Sequence, residues 1–134
     1  MTYLLDTNAI SELMRADPRI ERWMGGLNPG DRIVTCTIVR GELLFGVSRL
    51  PEGRRRTELE QMGHRFLDAF HCEPVPEAAG DFYAAVKLRR QRRGLVLDEN
   101  DLWIAATALA LRATLVSRDG DFAAIDGLAV VSCD

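Results

Sequence analysis

The chain has 134 residues, 47% of them apolar and 28% charged, with a net charge of −3. That size fits one ordinary globular domain covering residues 1–134 and leaves no room for a second, and the acidic total excludes a generally cationic nucleic-acid binder. No basic N-terminal segment leads into an apolar stretch with a small-residue cleavage site, and the longest apolar run, Leu102 to Leu111, is too short to span a bilayer, so a cytoplasmic protein without membrane contact is expected.

Tyr3-Leu4-Leu5 is an apolar run too brief for a helix, and Asp6-Thr7-Asn8 behind it are residues that cap helices, so a buried strand is expected to feed a helix over Ala9 to about Arg15. Pro18 starts a second helix carrying Ile20, Trp23 and Met24 and stopping at Gly25-Gly26. Ile33 to Cys36 is the next strand, and Thr37 is placed to cap a helix from Ile38 to Leu50. Leu59, Met62, Phe66 and Leu67 mark a helix over roughly Arg54 to Phe70. Cys72 to Pro76 is a strand weakened by two prolines. Ala78 to Arg93 reads as an amphipathic helix that Gly94 stops, and Asp98 to about Arg112 as a buried one, because Leu102-Trp103-Ile104-Ala105-Ala106 is apolar all round. Thr114 to Ser117 and Ala129 to Cys133 are the last strands, with a helical turn near Phe122 between them.

Strands alternating with helices predict an α/β protein whose mainly parallel sheet is covered on both faces, and in such sheets ligands bind beyond the carboxyl ends of the strands. Cys36, Cys72 and Cys133 are scattered singly, without metal-binding spacing, and read as reduced thiols at strand ends. Positive charge comes from sixteen arginines and the single lysine Lys87. Arginines cluster at Arg49/Arg54/Arg55/Arg56 and at Arg89/Arg90/Arg92/Arg93, where they suit bidentate phosphate contact. The second cluster equally suits the negative end of a helix dipole.

Four acids fall where this architecture brings distant segments together. Asp6 follows the first strand, Glu42 lies in the second turn of the helix after the second strand, Asp101 is in the first turn of the buried helix, and Asp119 follows the fourth strand. Each alone has a structural explanation: a cap at Asp6, a dipole partner at Asp101, a solvated Glu42, an Asx-turn at Asp119. As a set they are harder to explain without a cation, because converging carboxylates repel one another. An all-oxygen set without His or Cys points to Mg²⁺ or Mn²⁺, ions that typically serve phosphate-ester chemistry.

Asp6-Thr7-Asn8, Gly41-Glu42-Leu43, Asp101 with Ile104-Ala105-Ala106, and Ser117-Arg118-Asp119-Gly120-Asp121-Phe122 together resemble the PIN-domain nucleases, along the whole chain and in order. Length and the Glu42-Leu43-Leu44-Phe45-Gly46 stretch are most similar to the VapC toxins of bacterial toxin–antitoxin pairs. The resemblance implies a three-layer α/β/α sandwich and Mg²⁺- or Mn²⁺-dependent endoribonuclease cleavage of structured RNA, of the tRNA or rRNA class, that inhibits translation. It implies Asp6, Glu42, Asp101 and Asp119 as catalytic metal ligands, with Asn8 and Thr35 as polar supports. Asp121 is an alternative to Asp119, and Asp98 a reserve for Asp101. It further implies a homodimer and a cognate VapB-type antitoxin whose C-terminal segment blocks the active site.

Trp23 and Met24, with Leu44 and Phe45, are expected near the acidic edge, lining a groove for an amphipathic partner peptide, unless they only pack on each other. Three rival readings stand beside the nuclease. A metal-independent ribonuclease would use His64 and His71. A response-regulator receiver domain needs a lysine after the last strand, where there is none. A binding module without catalysis would require that the acids not converge.

Overall fold

The computed structural model describes residues 1–133. Strand β1 (Thr2–Leu5) leads into helices α1 (Thr7–Met14) and α2 (Pro18–Gly25); β2 (Arg32–Cys36) into α3 (Thr37–Ser48) and α4 (Arg54–Asp68); β3 (His71–Glu73) into α5 (Glu77–Arg92) and α6 (Glu99–Leu111). Strand β4 (Thr114–Val116), a 3₁₀ turn (Gly120–Ala124) and β5 (Val130–Val131) complete it. All strand pairs are parallel, in the order β3-β2-β1-β4-β5. Helices α1, α3 and α4 pack on one another, α5 packs on α6, and the sheet lies between these two layers as an α/β/α sandwich.

The strand order positions the site. The chain starts in the middle of the sheet, moves outward to β2 and β3, then crosses back to place β4 on the other side of β1. Connections leaving β1 and β4 therefore diverge, and a crevice opens between them at the carboxyl edge. Leu5 is in register with Val116, so Asp6 and Ser117 emerge side by side, and the Asp6 amide donates to the Val116 carbonyl at 3.2 Å.

Helix α6 buries Leu102, Ile104, Ala105, Ala106, Thr107 and Ala108, as its all-round apolar start predicts. Helix α5 differs from the amphipathic expectation. It buries only the narrow stripe Ala79, Val86 and Arg90, and Phe82 and Leu88 are exposed, because it packs along one side on α6. Gly94, at φ +70°, follows the helix's end, in a backbone region that glycine enters without steric conflict. Both edge strands are shorter than expected. Strand β3 stops at Glu73, before Pro74, which has no N–H to donate, and β5 keeps only two of the five residues expected. Thr37 is the first residue of α3, not its cap. Cys36 holds the cap position without a side-chain bond, and the Thr37 hydroxyl instead donates to the Glu73 carbonyl at 3.5 Å. All three cysteines are free, and burial pushes the Cys36 thiol up.

Candidate active site

A pocket of about 600 Å³ lies at the carboxyl edge, and its walls include Asp6, Glu42, Asp98, Asp101 and Asp119. Each acid arrives from a different local device. Asp6 caps α1, one carboxylate oxygen accepting the Ala9 amide at 2.8 Å. Asp98 caps α6 through the Asn100 amide at 3.1 Å. Asp119 caps the 3₁₀ turn through the Asp121 amide at 2.9 Å. Asp101 stands in the first turn of α6, and Glu42 in the second turn of α3.

Residues that the sequence did not mark as supports, some of them inside the family motifs, hold these acids in place. One Glu42 oxygen accepts the Thr7 hydroxyl at 2.6 Å and the other the Asn100 side-chain amide at 3.2 Å. The Ser117 hydroxyl bonds to the Asp6 carboxylate, and its oxygen accepts the Asp119 amide at 3.0 Å. Glu12 on α1 is buried and pairs with Arg118 at 3.1 Å, tying the segment behind Asp6 to the segment ahead of Asp119. Glu12 falls beside the core positions Ile10 and Leu13 of α1, the one signal that could have found this brace, since a buried carboxylate needs a partner.

The electrostatics mark the pocket as a place of crowded negative charge. Burial raises the Asp6 carboxyl, opposed by its bonds from Ser117 and Ala9, and Glu12 and Asp119 raise it further. The half-buried Asp101 is pushed up to about 6, first by desolvation and then by Glu42, Asp98, Asp119 and Asp6. Among the described residues, however, no three Asp, Glu, His or Cys side chains are drawn together tightly enough to form a ready-made metal cage. The acids expected to hold the metal share a pocket but not a point: Asp6, Glu42, Asp98 and Asp119 are each engaged in hydrogen bonds of their own.

The raised Asp101 carboxyl has a measurable consequence. A carboxyl raised in the folded state contributes stability that is fully present below its unfolded value near 3.8 and lost as pH rises through about 6. In metal-free buffer, Asp101→Asn is therefore expected to melt higher than the wild type at pH 7.5 and no higher at pH 4. Equal differences at both pH values in thermal melts would show that Asp101 carries no such strain.

The remaining predicted positions divide. Asn8 lines the pocket, and so does Phe45. Asp121 is exposed on the 3₁₀ turn and is not among the pocket's walls. Thr35, expected as a polar support, is fully buried in β2 and away from the pocket walls, and its hydroxyl has no hydrogen-bond partner among the described residues. Trp23 packs edge-on against Tyr3, with ring centroids 5.1 Å apart, and neither it nor Met24 or Leu44 borders the acidic pocket. Of the four residues expected to line a partner groove, Phe45 alone borders the acidic pocket, while Trp23 is half-buried against Tyr3 on α2, a helix that packs on α1. A different apolar groove of about 420 Å³ runs between α1, α3 and α4 past Met14, Leu43, Val47, Leu59 and Met62, and shares Thr7, Glu42 and Gly46 with the acidic pocket.

His64 and His71 are exposed on α4 and β3, and neither lines the pocket. Lys87 is held by Glu99 at 2.5 Å and by the Tyr83 hydroxyl at 3.0 Å. Of the second arginine cluster, Arg90 is buried against the Asp121 and Val96 carbonyls, which removes it from any phosphate-binding surface. No helix among the described residues is long and apolar enough to cross a membrane.

Comparison with known proteins fits this arrangement. Toxin FitB of Neisseria gonorrhoeae is 33% identical over 92% of both chains, and ribonuclease VapC1 of Haemophilus influenzae is 34% identical over 89% of this chain and 87% of its own. The crystal structure of VapBC2 from Rickettsia felis, bound to a DNA fragment from its promoter, superposes with a TM-score of 0.91 at 25% identity over the full length of both chains. The FitAcB structure from N. gonorrhoeae gives 0.84 at 31% identity, over 98% of this chain and 97% of its own. The PIN domain family model matches residues 3–128, and the chain belongs to the PIN domain family, in its VapC branch.

Proposed function

We propose that this chain is a divalent-metal-dependent endoribonuclease and the toxin of a toxin–antitoxin pair, cleaving structured RNA of the tRNA or rRNA class until its antitoxin neutralises it. The observation that carries the reading is one pocket, at the switch point of a parallel sheet, walled by Asp6, Glu42, Asp101 and Asp119. Relatives named as ribonucleases and a toxin support it.

The donor set fits a hard cation: all its groups are oxygens, and positive charge would relieve the strain on Asp101. Asp6, Asp101, Glu42 and Asp119 would hold Mg²⁺ or Mn²⁺, with Asp98 in reserve. When bound, such an ion supplies charge neutralisation at the phosphoryl oxygens and a more acidic water. The protein's own share is positioning. Thr7 and Asn100 fix both oxygens of Glu42, Ser117 orients Asp6, and the Arg118–Glu12 pair keeps the two sides of the crevice in register.

The partner reading rests on relatives solved as complexes with antitoxins and on the apolar groove that opens onto the pocket. An amphipathic antitoxin segment lying along Met14, Leu43, Val47, Leu59 and Met62 would deliver a basic side chain to the carboxylates. A homodimer is part of the same proposal.

The purified chain is expected to cut structured RNA in Mn²⁺, to stop in EDTA and to resume when Mn²⁺ or Mg²⁺ is restored, leaving 5′-phosphate ends. Expression of the chain alone should arrest bacterial growth, and co-expression of the antitoxin should relieve the arrest. A 2′,3′-cyclic phosphate formed in EDTA would transfer the reaction to histidines. The second reading, a binding module, is favoured by the absence of a ready-made metal cage among the described residues. Failure to bind Mn²⁺, with no cleavage of RNA, would decide for it.

A further inference from the structure

Phe45 is one of the few large apolar side chains left in the open, with 67% of its surface exposed. It stands on α3 one turn after Glu42 and borders the acidic pocket. The Arg49 guanidinium lies over its ring, 5.9 Å from the centroid, and Arg49 borders the same pocket. Among the pocket's walls Arg49 is the one cationic side chain, facing five carboxylates, and among the described residues it makes no ion pair.

A pocket walled by acids repels a phosphodiester, so a substrate needs holding points of its own at the rim. An exposed ring offers a face on which any base can stack, and an unpaired guanidinium offers planar, bidentate contact with a phosphate. Resting on the nuclease reading above, we propose that Phe45 and Arg49 form a nucleotide clamp at the mouth of the pocket. Phe45 stacks an unpaired base beside the scissile phosphate, and Arg49 holds the flanking phosphate. The clamp selects RNA whose base next to the cut is splayed out of a helix, because a paired base has no free face to give. A partner peptide is the weaker occupant. Its apolar residues find a continuous groove between α1, α3 and α4, whereas Phe45 is surrounded at the pocket by polar and charged groups.

The test uses a fluorescently labelled RNA hairpin with an unpaired loop, its affinity measured by anisotropy with the Asp101→Asn protein in Mn²⁺ buffer, and its cleavage measured with otherwise wild-type protein. Phe45→Ala is expected to weaken binding by about tenfold, within the range that loss of one base–aromatic stack produces, and Phe45→Trp to restore it. Arg49→Gln should weaken binding and lower the slope of log affinity against log salt by about one, as loss of one phosphate contact does. Thermal melting of all three variants should match the parent, since both side chains are exposed. If the wild type cuts the hairpin but Phe45→Ala binds it as tightly as the parent, the clamp is overturned and the nuclease stands. If Phe45→Ala leaves RNA affinity intact but weakens relief by the antitoxin, the ring belongs to the protein partner and the clamp is again overturned. If the wild type neither binds nor cuts RNA in Mn²⁺, the nuclease reading falls and the clamp with it.

Discussion

Replacing Asp101 by Asn is expected to lower RNA cleavage by more than about a hundredfold, above the range that loss of a supporting group around a metal produces. Asp6→Asn should do the same. Both substitutions keep side-chain shape and remove one negative charge from the pocket, and Asn can still accept the Ala9 amide that Asp6 now accepts. Folding should therefore survive, as circular dichroism and thermal melts would record. Burial, and then the neighbouring carboxylates, push Asp101 up to about 6, so its charged form gains from a cation beside it. Near-wild-type cleavage by both variants would mean that these carboxylates are helix caps and dipole partners only.

The second large effect is one of stability. Phe122 is the largest of the fully buried side chains, 1% exposed, yet it also borders the acidic pocket from the 3₁₀ turn that Asp119 caps. Phe122→Ala removes a ring from the floor beneath that turn and should cost about 3–5 kcal/mol, a fall in melting temperature of roughly 10 °C or more. Phe122→Leu should lose less than half of that by filling part of the space. Because the turn fixes Asp119, cleavage by Phe122→Leu should drop further than its stability does. A Phe122→Ala protein that melts with the wild type would show that the turn is not anchored through its ring.

Much of this was legible because the determining signals are local. Leu4-Leu5 before Asp6 marks a strand meeting a cap, and Asp98 ahead of an apolar helix marks another. The four acids could be brought to one edge because a parallel sheet sends every strand's carboxyl end the same way. Less was legible where the partner is remote. Thr7 and Glu42 are 35 residues apart, Asn100 and Glu42 are 58, and Arg118 and Glu12 are 106, and nothing in the local pattern of either partner names the other. The setting of Trp23 was hidden for the same reason. Its place on a short helix is local, but its ring is captured by Tyr3, twenty residues earlier. On α5, read as amphipathic, only the narrow stripe Ala79, Val86 and Arg90 is buried, and Phe82 and Leu88 stay out.

Three of the pocket's carboxylates, Asp6, Asp98 and Asp119, are at once helix or turn caps and walls of the site. Asparagine caps as well as aspartate does, through the same kind of oxygen. In the genetic code every aspartate codon becomes an asparagine codon by one base transition. Under the proposed reading, a cell burdened by this chain has a short mutational exit: one such transition at Asp6 silences the pocket yet leaves α1 capped. The apolar groove beside it stays intact as well, so the silenced chain would still be able to titrate the antitoxin away from an active copy.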